Sequence, residues 1–256
     1  MKILPNLNVK TKTIALIAIF SALYAALRLV PTVPMIGAQG AAFSLSDVLA
    51  PLYGILLGPF TGGFSVIIGT FVAIAMGKPV VFMGLDFLPA LVNTVAIGFL
   101  VRRKWWPVVA LNAVLIFAYV LNPLTLNIVN TPIGPFPFVW VHIIAFVVLV
   151  SPLGRKAGQW LEASKSVKIT VSFAALAFVG TMMQHLTGGI LTEVVRGQIL
   201  GLFTPDFFHT IMWPAVFYVY PWERLGLIIL ATVIGVPVYR IIKKSFFSEG
   251  KNPNPK

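Results

Sequence analysis

Long apolar runs, each closed by proline, glycine or charged residues, constrain the fold of this chain more than any other feature. A helix of about 20 apolar residues is long enough to cross the hydrocarbon core of a bilayer. Charged residue types make up only 10% of the 256 residues, whereas about 25% is usual in soluble domains. With a mean hydropathy of +0.94, the chain cannot cover itself with polar surface in water. The sequence therefore predicts an all-α polytopic membrane protein of the cell membrane.

Eight apolar runs are predicted to be transmembrane helices in one bundle, within a range of six to nine. They occupy residues 1–256 as a single transmembrane domain and leave no room for a second, soluble domain. The first run is longer than the apolar region of a signal peptide and contains Arg28, which favours a retained anchor. The predicted helices lie near 12–30, 46–58, 60–77, 84–101, 105–122, 136–151, 167–188 and 223–242.

The positive charges of the chain indicate its orientation. The net charge is +12, but the cations lie in short clusters between apolar runs, as in topology signals, and do not indicate nucleic-acid binding. If the N-terminus is inside, 15 of the 19 lysines and arginines fall on the cytoplasmic side. The positive-inside bias therefore predicts that both termini are cytoplasmic. The four cations left outside are Arg28, Lys78, Arg196 and Arg224.

The segment 189–222 is predicted to be an external cap that lies in, or re-enters, the membrane interface. It is apolar enough for a ninth span, but a ninth span would place the basic tail after residue 240 outside. Thr204 and Pro205 have the pattern of a helix cap followed by a first-turn proline. We therefore expect a short helix to begin there.

The second predicted helix is short, because Gly58 and Pro59 end it after about 12 residues. Ser44 or Ser46 can cap it, and Asp47 lies at the positive end of its dipole. A helix of that length begins below the membrane surface, so the preceding loop 31–43 must dip inward. Exposed backbone at that depth is tolerated only beside protein or a watery cavity. This loop is the first indication of a pocket.

Asp86 and Asn93 are seven residues apart and are predicted to share one face of the fourth helix. Polar residues inside a membrane usually face a cavity or a partner. One interpretation makes the pair a wall of a binding pocket. The other makes Asp86 an acid at a helix N-terminus and lets Asn93 bond a neighbouring helix.

The outer half of the predicted bundle is far more polar than the cytoplasmic half. This asymmetry fits a cavity that is open to the outside and lined by amides and aromatic rings, although for any single member a structural role is favoured over a binding role. The predicted substrate-binding residues are Gln39, Asp47, Asp86, Asn93, Tyr119, Asn122, Trp140, His142 and His185. Further polar residues on this side are Asn127, Asn130, Gln184, Glu193 and Arg196.

The sequence predicts no enzyme, metal site or cofactor. It has no cysteine, and the HExxH, GxSxG and GxxxxGK[ST] motifs are missing. His142 and His185 could ligate a haem as a pair of axial imidazoles, but both lie near the outer boundary, which disfavours that role. An intramembrane enzyme would need a convergent acid, base or metal site, and none is evident.

Ala18, Ala22 and Ala26 recur every four residues on the first helix. Such a small-residue stripe lets another helix approach closely. The approaching helix belongs either to this chain or to a partner subunit, and the sequence leaves both possibilities open.

Several features of the first four helices resemble the substrate-binding S components of energy-coupling factor (ECF) transporters. They are the alanine stripe, the FSLSD entry into the second helix, the GILLGPFTGG corner and the glycine-spaced third helix, and they cover residues 12–101. The resemblance implies a receptor that captures a vitamin-like compound or trace nutrient and docks on a separate transmembrane coupling subunit driven by two ATPase subunits. It also implies that Ala18, Ala22 and Ala26 contact the coupling subunit, and that the loop from Pro31 to Phe43 gates the ligand.

Family members typically have six helices, fewer than the eight counted here. The alternative function from another class is a self-contained secondary transporter or channel for a small solute.

Overall fold

The computed structural model describes residues 9–38, 40–163 and 165–247, and this part of the chain is mostly helical. The fold was predicted to be all-α, and two short antiparallel hairpins add a small amount of β-sheet to it. The helices are α1 Val9–Arg28, α2 Leu45–Leu56, α3 Pro59–Ala75, α4 Leu88–Val101, α5 Trp105–Val120, α6 Trp140–Val150, α7 Pro152–Trp160, α8 Ser166–Ile199 and α9, which joins Pro205–Phe207, Phe208–Met212 and Trp213–Phe247. The strands are β1 Pro31–Pro34, β2 Ala42–Ser44, β3 Ile128–Thr131 and β4 Gly134–Pro137.

Three helices of the described chain, α1, α8 and α9, are long and apolar enough to cross a membrane. Helices α6 and α7 would form a fourth span together, although they are bent by 64° at their junction. Helices α2 to α5 are also apolar but shorter, with 10–17 residues each. The length and polarity of the helices therefore suggest association with a membrane, and the count of eight spans stays a prediction.

The segment predicted as an external cap continues the two helices that flank it. Helix α8 runs past residue 188, and its last stretch, Thr192–Ile199, is π-helical. Helix α9 begins at Pro205, where the Thr204 hydroxyl accepts a hydrogen bond from Phe207 N at 3.2 Å. The predicted helix boundaries at 188 and 223 are therefore wrong, because the chain leaves the helical conformation only at residues 200–204. The predicted helix N-cap at Thr204 is confirmed.

Two other predicted helix starts are wrong because local structure precedes each helix. Residues 136 and 137, predicted as the start of the sixth helix, belong to strand β4, which pairs with β3. Helix α4 begins at Leu88 and not at residue 84, because residues 81–86 form a turn. Between the predicted helices 136–151 and 167–188, the chain forms the additional short helix α7.

Close helix packing is built on small residues at the α2–α3 corner. Gly58, with φ of +82°, ends α2 and lets α3 begin directly at Pro59. Gly98 of α4 lies against this corner, and a Cβ there would be only 2.4 Å from Pro59 N. The glycines therefore bring three helices together.

The bundle has a basic end and a polar end. At the basic end, Arg103 pairs with Glu162 at 3.1 Å, and Lys243 Nζ donates to the carbonyl oxygens of Leu161 and Glu162. Helix α1 ends at Arg28 and α3 ends just before Lys78, and both cations lie at the polar end beside a cavity.

Candidate functional site

A cavity of about 130 Å³ lies at the polar end of the bundle, beneath the β1–β2 hairpin. Its walls come from the hairpin, the end of α1, the start of α2, the segment 78–90, the middle of α8 and the first turns of α9. A cavity needs about 10–15 Å³ to hold one water, and each water takes about 30 Å³ in the liquid, so this cavity holds several waters. It is therefore large enough for a small molecule.

The roof of the cavity is the loop that was expected to dip inward. Its residues form an antiparallel hairpin in which Pro31 pairs with Ser44, and Pro34 pairs with Ala42. Arg196 Nη2 of α8 donates to Gly37 O at 2.7 Å, so the tip of the hairpin is anchored to α8. Gln39, predicted to bind substrate, lies outside the described residues.

A chain of buried side chains crosses the bundle under the cavity. Asn93 Nδ2 of α4 donates to Gln184 Oε1 at 2.8 Å, and Gln184 Nε2 donates to Asp47 Oδ1 at 2.9 Å. The other Asp47 oxygen accepts from Ser44 N at the base of the hairpin. Asp47 and Gln184 line the cavity, whereas Asn93 stands behind them and positions Gln184.

Asp86 lines the cavity, but not from the helix face it was predicted to share with Asn93. It precedes α4, and its two oxygens accept from Val81 N at 2.8 Å and Phe82 N at 3.2 Å. The carboxylate therefore closes the turn before the helix. The prediction that Asp86 and Asn93 form one wall of the pocket is wrong, because Asp86 lines the cavity and Asn93 does not.

Three cations that were not predicted as site residues line the same cavity: Arg28, Lys78 and Arg224. Arg28 Nη2 donates to Asp86 O at 3.0 Å, and Lys78 Nζ donates to Ala42 O of the roof at 3.1 Å. Burial, followed by the nearby Arg28 guanidinium, lowers the pKa of Lys78, while the Asp47 carboxylate opposes this shift. The sequence did contain a signal, because these cations are three of the four that the positive-inside bias leaves unexplained.

Arg224 is the most enclosed of these cations, with its side chain only 3% exposed. Its Nη2 pairs with Glu223 Oε1 at 3.1 Å, and its guanidinium carbon lies 5.5 Å from the centre of the Phe43 ring. Arg224 Nε and Nη1 are buried and have no hydrogen-bond partner among the residues that the structure describes. Both groups can donate to a bound molecule.

Two predicted histidines meet at one side of the cavity. His185 lines it, and His185 Nδ1 shares a hydrogen bond of 2.9 Å with His142 Nε2, one layer further from the cavity. Tyr220 stacks on His185 with ring centroids 4.7 Å apart. Because the two imidazoles bond each other, they are not arranged as an axial pair on opposite faces of a haem.

The remaining predicted substrate-binding residues lie away from this cavity. Tyr119 packs in an aromatic cluster, 5.7 Å from both Phe138 and Trp213. The side-chain oxygen of Asn122 accepts from Leu124 N at 3.0 Å in a turn. Trp140 lines a second, apolar cavity of about 740 Å³ between α6, α8 and α9.

The alanine stripe of α1 is exposed along its length at Ala18, Ala22 and Ala26. The helix carries Tyr24 and Ala25 as buried residues outside this stripe, and it packs on α3. Within the described chain, packing against another helix of the same molecule therefore does not explain the stripe.

The described residues contain no group of three or more histidine, aspartate, glutamate or cysteine side chains placed to hold a metal ion. No protein-family model, curated protein or solved structure matches this chain.

Proposed function

We propose that this protein is a membrane-embedded subunit that captures a small nutrient for uptake and docks on a separate ATP-driven coupling module. The proposal rests on one observation. A small cavity, lined in part by charged side chains and roofed by the β1–β2 hairpin, lies in a protein whose helices are otherwise apolar. A pocket that encloses a ligand and offers a few convergent polar groups is typical of a binding site. The hairpin is the segment that would open to admit the molecule.

The different charges at the two ends of the bundle support the same proposal, and so does the exposed face of α1. The clustered cations at the end opposite the cavity fit a cytoplasmic surface under the positive-inside rule. In this orientation the cavity faces outward, where a nutrient is captured. The exposed alanines of α1 provide a smooth helical surface against which a helix of a coupling subunit can pack closely.

A self-contained secondary transporter is the second candidate, and one observation favours it. Glu193 of α8 is fully buried, accepts a hydrogen bond from Thr125 at 2.6 Å and has a second carboxylate oxygen with no partner among the described residues. Buried ionisable groups in membrane helices often belong to proton pathways.

The two candidates are separated by binding and uptake measured on the same preparation. The small molecule released on unfolding the purified protein is identified by mass spectrometry, and its isotope-labelled form is offered to proteoliposomes. A capture subunit retains the molecule but does not accumulate it when reconstituted alone. Accumulation by the chain alone, driven by a proton gradient, would establish the secondary transporter instead.

A further inference from the structure

We propose that the cavity binds a small organic anion, a carboxylate with one negative charge and an apolar body, and that Arg224 is its main contact. The inference names the ligand class of the site described above and so rests on the proposed capture function.

The acids of the cavity already have donors from the protein itself. Asp86 accepts from two backbone amides of its own turn, and Asp47 accepts from Gln184 and from Ser44 N. Glu223 is paired with Arg224. None of these three carboxylates depends on a ligand for its hydrogen bonds.

The cations, in contrast, have donors to spare. Arg224 Nε and Nη1, together with Arg28 Nε, are buried without an acceptor among the described residues. Lys78 uses one of its three ammonium donors on the roof carbonyl of Ala42. Buried donors are almost always satisfied in folded proteins, and an unsatisfied charged donor is costly. The missing partner is therefore an acceptor, and an anion satisfies several of these donors together.

The charges of the cavity favour an anion with only one negative charge. The cavity wall carries three cations, Arg28, Lys78 and Arg224, and three acids, Asp47, Asp86 and Glu223, and is therefore balanced on its own. Every negative charge that a ligand adds in this buried place is uncompensated and unfavourable, so the free donors are best met by the smallest charge that an anion can carry. A carboxylate fits this limit better than a phosphate, which carries more than one charge near neutral pH.

The rest of the lining is suited to an apolar body. Trp213 and Tyr220 line the cavity, and their polar atoms are used elsewhere, by Leu124 O at 2.9 Å and Phe138 O at 2.8 Å. Their rings therefore contribute mainly carbon surface to the site. Phe43 and Phe82 add further aromatic surface. With a volume of about 130 Å³, the site suits a compact aromatic or aliphatic acid.

The test uses matched probes on the purified full-length protein in detergent. Benzoate is compared with benzamide and benzylamine, and hexanoate with hexanamide and hexylamine, so that size stays constant while charge changes. Binding is measured by the rise in melting temperature that a ligand of the folded state causes. We expect at least one acid to bind and the matched amide and amine to bind much more weakly.

Variants assign the binding to this site. Arg224→Gln should weaken acid binding by about tenfold or more, as expected for lost charged hydrogen bonds, and Arg224→Lys should weaken it less. Because Arg224 is deeply buried, the half-buried Lys78→Gln provides a second variant that should fold normally and weaken binding a few-fold. Arg103→Gln, at the far basic end, is the control and should bind as the wild type does.

The inference is overturned if the amides or amines bind as tightly as the acids, if no acid binds at millimolar concentration, or if Arg224→Gln and Lys78→Gln both retain wild-type affinity. Acid binding without uptake by any assembly would contradict the capture function and leave the anion site standing. Uptake of a neutral or cationic molecule would contradict the anion site and leave the capture function standing.

Discussion

Gln184 Nε2 donates a hydrogen bond of 2.9 Å to Asp47 Oδ1, and this contact joins the central helix α8 to the start of α2. The oxygen of the same amide accepts from Asn93 of α4, so one side chain connects three helices. Asp47 in turn accepts from Ser44 N, where the roof hairpin ends. The packing of the bundle and the position of the roof are therefore linked through one buried amide.

Replacing Asn93 should lower the free energy of unfolding more than it weakens ligand binding. In Asn93→Leu, Gln184 Oε1 loses its donor in a buried place, which costs about 1–3 kcal/mol of unfolding free energy. Asn112→Leu is the matched control, because Asn112 is also buried but its Nδ2 has no partner among the described residues, and it should be neutral or stabilising. Denaturant unfolding measures both variants. Lost ligand binding at unchanged stability in Asn93→Leu would mean that Asn93 touches the ligand directly.

The case of Asp86 shows what the sequence could and could not predict. Apolar periodicity located most of the helices, because burial in lipid or protein favours the same residue types. It placed Asp86 on a helix, since periodicity does not detect a turn that a carboxylate closes by accepting two backbone amides. The tertiary contacts of the bundle, and not the helical spacing, decide which polar residues face the cavity.

The arginine and lysine residues of the cavity illustrate a second limit. The sequence identified Arg28, Lys78 and Arg224 as charges that the topology does not explain, but they come from positions separated by up to 196 residues. Only the packing of α1, α3 and α9 brings them together. An isolated cation has no local sequence pattern that distinguishes a ligand contact from a solvated charge.

Removing the Arg196 side chain should loosen the roof. Its guanidinium donates to Gly37 O at 2.7 Å and holds the tip of the hairpin on α8, so in Arg196→Ala the amides of residues 35–41 should exchange with solvent more rapidly. Hydrogen exchange followed by mass spectrometry measures this change. Gln198→Ala, two residues away and bonded to Asn122, should leave the exchange of this segment unchanged. Equal exchange in Arg196→Ala and wild type would show that the hairpin keeps its conformation without the Arg196 contact.

The predicted topology can be tested with single cysteines, because the chain has none of its own. Cysteines at positions 103, 160 and 252 should react only with membrane-permeant reagents, since the positive-inside bias places all three in the cytoplasm. Position 252 lies outside the described residues. Ile133 is 90% exposed at the tip of the β3–β4 hairpin, and a cysteine there should react with impermeant reagents from outside intact cells. Labelling of position 252 from outside would favour a ninth span.

The last prediction concerns the exposed face of α1, where Ala22 and Ala25 form a matched pair. Ala22 is exposed, whereas Ala25 is only 2% exposed and faces the interior. Ala25→Trp should therefore unfold or strongly destabilise the protein, because overpacking a core costs about 1–3 kcal/mol or more. Ala22→Trp should keep the wild-type melting temperature and ligand binding but abolish uptake in cells, because a bulky ring prevents the close approach of a partner helix. If uptake with Ala22→Trp equals that of the wild type, the alanine face is in contact with lipid and the coupling subunit docks elsewhere.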